Sequence, residues 1–361
     1  MYQYATSFTG MKENQDEYKY LGYESHIEEL FTIEEINTIK HFSYKVVSDI
    51  NIFKKTEDIT TSETYINLID LYKTKDFWYG ILEHLLFDLN VDDKNSLKAR
   101  ILVAYFVQKN IENAIYTILL KFNIKNLIVS GGIFYNVKLN NFINNKICGY
   151  FCAMPICGDQ GCGIGFYERF IGDFNFSSLK IGIRKLLNEK HPTIGLDKNI
   201  FFLDKNSEDS INTIVELISH NNIVHIIDKN MEFGPRALCS TSSVFLPTQE
   251  NVDNNNYING RNEVMPCAPV MIKENLDYFF ERKEYSKIIG SLESMIVTLN
   301  YKKVNLKKYS GVMHKYPTEE LYSGRPQLIS DNEDFMYKLL KSVEENTGYK
   351  CLVNTSFNYH G

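Results

Sequence analysis

No stretch of the chain approaches the ~20 uninterrupted apolar residues that a membrane-crossing helix needs, which argues against a membrane-spanning protein. The opening MYQYATSFTGMKENQDEYK has neither an apolar core segment nor a cleavage site, so no secretory leader is expected. A basic stripe is missing too. The 39 Lys and Arg are dispersed, 45 Asp and Glu outnumber them, and the net charge of −6 argues against nucleic acid as a partner. There is no even set of cysteines to pair, and seven in 361 residues fit a reducing cytoplasm better than a disulfide framework. Four of them cluster as Cys148, Cys152, Cys157 and Cys162, yet none of their spacings is the C-x2-C of zinc and iron–sulfur sites, so a cysteine-held metal is not expected. Internal repeats and low-complexity tails are absent as well.

The composition is that of a globular protein, 44% hydrophobic, in a length that suggests about two domains. Residues 1–95 read as helix-rich. SLKARILVAYFVQKNIENAIYTILLK (96–121) carries apolar residues at three and four spacing with no Gly or Pro, which predicts a long amphipathic helix. NLIVSGG (126–132) then reads as a strand ending in two glycines, NVKLNNFINNK (136–146) as a helix, ICGYFCAMP (147–155) as a second strand, and GDQGCGIGFYERF (158–170) as a glycine loop entering a helix. Such alternation predicts an α/β layer with a mainly parallel sheet. The more polar stretch 171–199 is the linker candidate. A second α/β unit follows, with a helix near Ser210–His220 and strands at 223–227, 268–272 and 351–358.

Two groups of residues point to chemistry. A strand that stops at Gly131 and Gly132 and feeds a helix turns backbone N–H groups outward, where a phosphate can approach. Asp159, among Gly158, Gly161 and Gly163 beyond the next strand, is placed to hold a divalent cation beside such phosphates, or to cap the following helix. The second group lies later. MEFGPRALCSTSS (231–243) follows an apolar strand and sets Arg236 before Ser240, Thr241, Ser242 and Ser243. Arg261 in NGRNEVMPCAP and Arg325 in SGRPQ are likewise flanked by Gly or Pro. Asn354, Ser356 and Asn358 follow the apolar CLV run. Arginines, an amide and hydroxyls together suit a phosphate or a carbamoyl group.

In order, SGGIFYNVKLN, GDQG, MEFGPRALCSTS, RNEVMPCAP, GRPQ and LVNTSFNYHG resemble the O-carbamoyltransferases that decorate Nod factors, aminoglycosides and cephalosporins. DEYKYLGYES (16–25) resembles a segment of the same family's first domain. The resemblance implies an α/β protein, the late part of an actin-like ATPase (ASKHA) domain at 1–175 followed by a YrdC-like domain at 195–361, shortened at both ends relative to the family. It implies that the YrdC-like part converts carbamoyl phosphate and ATP into a carbamoyl adenylate. The first domain then passes the carbamoyl group to a hydroxyl of a small acceptor, a sugar, natural product or nucleoside, beside a divalent metal (Fe2+, Mn2+ or Mg2+). By the same resemblance Arg236, Arg325, Asn354 and Ser356 are the catalytic candidates. Gly131, Gly132, Asn136, Arg261 and Asn358 are the nucleotide-side and phosphate-side candidates, and Asp159 is the metal ligand.

The sequence departs from that pattern in three places. His26, His41 and His84 stand singly, with no H-x3-H pair to complete the metal site. Asn259 and Met265 replace the lysine and arginine of antibiotic-tailoring members. The chain ends at Gly361, where relatives continue. These departures raise a separate chain supplying the early part of the first domain, and as alternatives an inactive nucleotide-binding remnant or one subunit of a split enzyme. An actin-fold sugar kinase ranks below these, because GPRAL and NTSFN have no task in a kinase.

Overall fold

The computed structural model describes residues 1–49, 74–147, 149–172, 179–180, 203–204, 207–228, 230–261, 267–303, 307–315 and 321–358. They group into two compact units, one holding residues 1–125 and the other most of residues 126–361. Among the described residues, no helix is long and apolar enough to cross a membrane.

The first unit is helical, as expected for its early part. It contains α1 (Tyr2–Phe8), α2 (Ile33–Asp49), α3 (Lys75–Asp88) and α4 (Leu97–Lys121). Ser96 caps α4 by accepting a hydrogen bond from the Ala99 N–H at 3.1 Å, the usual use of a serine at this position. The helix is less amphipathic than its spacing suggests. Every residue from Ile101 to Gln108 is buried, so α4 runs through the middle of the unit and not along its surface. Asn110 and Asn113 donate to the carbonyl and hydroxyl of Ser43 at 3.2 and 3.1 Å, fixing α2 against α4. The DEYKYLGYES segment forms short helical turns in which Tyr20 is buried and donates to the Ala5 carbonyl at 2.6 Å.

The second unit holds the chemistry. β1 (Leu127–Val129) pairs in parallel with β2 (Phe151–Ala153), with α5 (Val137–Lys146) between them in sequence and α6 (Gln160–Phe170) after them. A five-stranded sheet is made of β3 (Val224–Ile227), β4 (Thr241–Phe245), β5 (Ala268–Ile272), β6 (Gln327–Ile329) and β7 (Leu352–Ser356), in the order β3-β4-β7-β5-β6. α7 (Glu208–Ser219) and α9 (Phe335–Thr347) pack together on it. Ile214, Ile218, Leu339 and Val343 meet Val244, Val270, Ile272 and Leu352 in one buried cluster. α8 (Gln249–Ile258) follows β4, capped by Thr248.

The parallel pairing expected of the alternation at 126–170 is present in β1–β2. The large sheet of the later strands is mostly antiparallel: β3–β4, β4–β7 and β7–β5 are antiparallel, and only β5–β6 runs parallel. The sequence hid this because β4 lies in the STSSVF run, whose hydroxyl residues read as ligand donors when they are strand residues. GDQG is not a glycine loop, since the helix begins at Gln160 and takes in Gly161, Gly163 and Gly165. Gly161 is required there by packing, because a Cβ would sit 2.5 Å from the Ile156 carbonyl oxygen. The linker candidate 171–199 falls mostly outside the described residues, as do Cys148 and Met265.

Candidate anion-binding site

The loop from Glu232 to Thr241 carries Arg236 and is shaped by its own acid. One carboxylate oxygen of Glu232 accepts three backbone N–H groups, from Leu238 at 2.7 Å, Ser240 at 2.6 Å and Thr241 at 3.0 Å. Gly234 (φ +117°) takes a conformation that a side chain disfavours. Cys239 (φ +68°) does so with a side chain, and its N–H donates to the Ser242 hydroxyl at 3.0 Å. Two of the four hydroxyls that sequence reading offered to a ligand are taken up within the protein. Ser242 serves the loop, Ser243 hydrogen bonds with His225 at 2.8 Å, and Thr241 opens β4. The hydroxyl oxygens of Ser240 and Thr241 are buried without a partner.

The three arginines converge. Arg236 donates from Nη2 to the Tyr135 carbonyl at 3.1 Å. Arg261 donates from Nη1 to the Thr355 hydroxyl at 3.0 Å. Arg325 is driven well below the usual arginine range, first by burial and then by the like charges of Arg236 and Arg261. Burial also lowers Arg236, with Tyr135 and Cys157 offsetting part of the effect. Neither Arg236 nor Arg325 makes an ion pair among the described residues, and the Nε of each is buried without an acceptor. The nearby thiols do not supply the missing charge. Burial pushes Cys157 up to about 11 and raises Cys267 despite Arg261 beside it, so both are neutral thiols near pH 7. Arg236 and Arg325, partly buried with buried Nε groups, are costly as charges unless something else brings an anion.

Asn354 ties the two halves of this cluster together. Its Nδ2 donates to the carbonyl of Ala237, next after Arg236, and to Oε1 of Gln327, two beyond Arg325. Its Oδ1 is buried and unpartnered. The period of a strand places Leu352, Asn354 and Ser356 on the face covered by α7 and α9, and Thr355 on the other. Thr355 therefore meets Arg261 and Asn354 does not, a division that sequence reading missed along with Glu232, Tyr135 and Gln327. Ser356 sits across from Ser242 and is partly buried, while Asn358 is exposed.

The earlier motifs reach the same neighbourhood through Arg236, whose acceptor Tyr135 ends the turn after Gly131 and Gly132. Gly131 (φ +110°) donates to the Cys157 carbonyl at 2.8 Å, so the loops after β1 and β2 touch. Open space lies where a Cβ of either glycine would be. Asn136 caps α5, accepting from the Leu139 N–H at 2.9 Å. Asp159 is exposed at the start of α6 and makes no capping bond. No three His, Cys, Asp or Glu side chains gather to hold a metal among the described residues. One carboxylate does not by itself fit a divalent cation.

Two family descriptions match the chain, Carbamoyltransferase N-terminus over residues 1–166 and Carbamoyltransferase C-terminus over residues 215–361. The chain belongs to the carbamoyltransferase family. The second match contains all three arginines and Asn354, and the first contains Gly131, Tyr135 and Asp159. An uncharacterized protein of Methanocaldococcus jannaschii is 28% identical over 337 residues, which are 88% of this chain and 61% of that protein. Nodulation protein NolO of Bradyrhizobium diazoefficiens is 23% identical over 64% of this chain and 43% of its own length. Nodulation protein U of Rhizobium fredii is 26% identical over 66% and 39%. The chain thus spans less than two thirds of these relatives.

Proposed function

We propose that the protein takes part in O-carbamoyl transfer, and that the second unit activates the carbamoyl group. The observation that carries this reading is the cluster of Arg236, Arg261 and Arg325, whose like charges lower Arg325 and whose first and last members have buried Nε groups with no acceptor. An anionic substrate supplies the charge that Arg236 and Arg325 lack among the described residues, and a guanidinium fork fits phosphate oxygens. Among the anions that would fit, carbamoyl phosphate and ATP are the ones we propose, and membership of the carbamoyltransferase family supports the carbamoyl part of that reading.

The balanced sequence has three steps. Carbamoyl phosphate and water give carbamate and phosphate. A carbamate oxygen attacks the α-phosphorus of ATP, forming the carbamoyl adenylate as the bond to pyrophosphate breaks. The acceptor hydroxyl then bonds to the carbamoyl carbon, loses its proton, and AMP leaves. In this scheme Arg236, Arg261 and Arg325 hold phosphoryl oxygens as charge shifts between them, which is electrostatic catalysis requiring no protein nucleophile. Asn354 sets the backbones beside Arg236 and Arg325. Ser356 and Asn358 extend the same strand end, and Gly131, Gly132 and Asn136 lie on the nucleotide side. A divalent metal would help neutralise the nucleotide phosphates. Asp159 is its one candidate ligand among the described residues, so no step is derived through it. The acceptor is proposed only as a small hydroxyl compound.

Phosphorus NMR of the purified chain with ATP, magnesium and carbamoyl phosphate tests the reading. Pyrophosphate and a new adenylate signal are expected, both lost in Arg236→Ala. An unchanged spectrum with wild-type protein leaves nucleotide binding without turnover as the better account.

A further inference from the structure

We propose that Glu232 is a positioning residue for the anion site, acting through the loop that carries Arg236. The inference rests on reading the three-arginine cluster as a phosphate site. Backbone N–H groups gathered around one point form a concavity of the kind that binds anions. Here a single oxygen of Glu232 fills it, drawing in the N–H groups of Leu238, Ser240 and Thr241.

Filling that concavity from within fixes where the loop's other groups go. The Ala237 carbonyl is presented to Asn354 at 2.8 Å, and the Ser240 carbonyl accepts from the Asp228 N–H at 2.7 Å. The left-handed turn at Cys239 lies between two of the three donors. Arg236 stands at the head of this tightened loop, two residues before the first donor. Burial, Tyr135 and Cys157 account for the state of its guanidinium, and Glu232 is not among the groups that shift it. Glu232 therefore acts on Arg236 through the backbone and not by charge pairing. Without it, three N–H groups lose their acceptor, and the loop is free to turn the guanidinium away from Arg261 and Arg325.

The experiment is an inorganic phosphate titration by calorimetry on the full chain, comparing wild type, Glu232→Ala, Glu232→Gln and Glu232→Asp. Thermal melting without phosphate reports the fold separately. Glutamine keeps a carbonyl oxygen at the same reach. Aspartate keeps the charge but withdraws the acceptor by ~1.5 Å, one carbon–carbon bond. Wild type binds phosphate, the glutamine variant stays within about threefold, and the alanine and aspartate variants weaken by about tenfold or more, the scale expected of an ångström-sized misplacement of a binding group. If alanine prevents folding, the glutamine and aspartate pair still decides. Equal binding by all four overturns the inference, and so does loss in the glutamine variant with retention in the aspartate one, which would make charge the cause. Failure of wild type to bind phosphate at all instead overturns the phosphate reading on which the inference rests.

Discussion

Replacing Arg325 with methionine should raise the stability of the protein and remove its affinity for phosphate in one step. Arg325 is partly buried, its Nε is buried without an acceptor, and its charge is disfavoured by desolvation and by Arg236 and Arg261. Two like charges ~4 Å apart repel by roughly 4 kcal/mol at an effective dielectric constant of ~20, and the figure falls in proportion as they separate. Methionine keeps most of the apolar stem that packs in the pocket, so the lost contact area is small. Relief of repulsion and of desolvation together should give a net gain of about 1–3 kcal/mol. For a unit of this size that is a rise in melting temperature of roughly 2–10 °C. Wild-type protein should gain about 2.7 kcal/mol from phosphate at a hundredfold excess over its dissociation constant, and the variant should gain nothing. Differential scanning calorimetry with and without phosphate reads both effects. A variant that melts lower and still responds to phosphate would refute the reasoning, because it would make Arg325 a structural residue with its charge already balanced.

Other expectations follow from particular contacts. Asn354→Ala should cost about 1–3 kcal/mol, since it strips the Ala237 carbonyl and Gln327 of a buried donor, and should lower pyrophosphate formation further than the melting shift explains; urea unfolding and phosphorus NMR measure the two. Gly161→Ala should destabilise, because its Cβ meets the Ile156 carbonyl, whereas Gly163→Ala in the open part of the same helix should stabilise by about 0.5–1 kcal/mol. Burial lowers the folded pKa of His225, so the native state holds fewer protons than the unfolded chain below the usual histidine value. Its contribution is complete above the unfolded pKa of ~6.5 and is lost as pH falls through that value toward the lower folded one. His225→Gln should flatten the melting temperature in that window.

The elements with strong local patterns were legible in the sequence. The long helix at Leu97–Lys121, the strand–turn–helix around Gly131 and the apolar strands at 224–227, 268–272 and 352–356 all stand where their spacing puts them. β4 was not legible, because it opens with Thr241, Ser242 and Ser243, polar residues of which the sheet buries the two serines. With β4 hidden, the antiparallel order could not be read either. The thirteen residues between β3 and β4 make a loop too long to announce a hairpin. The arginines were found individually from their Gly and Pro neighbours, but their convergence depends on strands far apart in the chain. Glu232 gave no signal at all. Its role is to bind backbone N–H groups, and no side-chain spacing encodes that. Gly324 in SGRPQ had a reason beyond backbone freedom, because the Tyr301 ring packs directly against it.

The central claim is that the second unit activates carbamate on ATP. Incorporation of labelled pyrophosphate into ATP by the purified chain isolates that step, since reversal of adenylate formation needs no acceptor hydroxyl. The account predicts exchange that depends on added carbamate and magnesium and disappears in Arg236→Ala. Absence of exchange in wild type, or equal exchange in the variant, would contradict it.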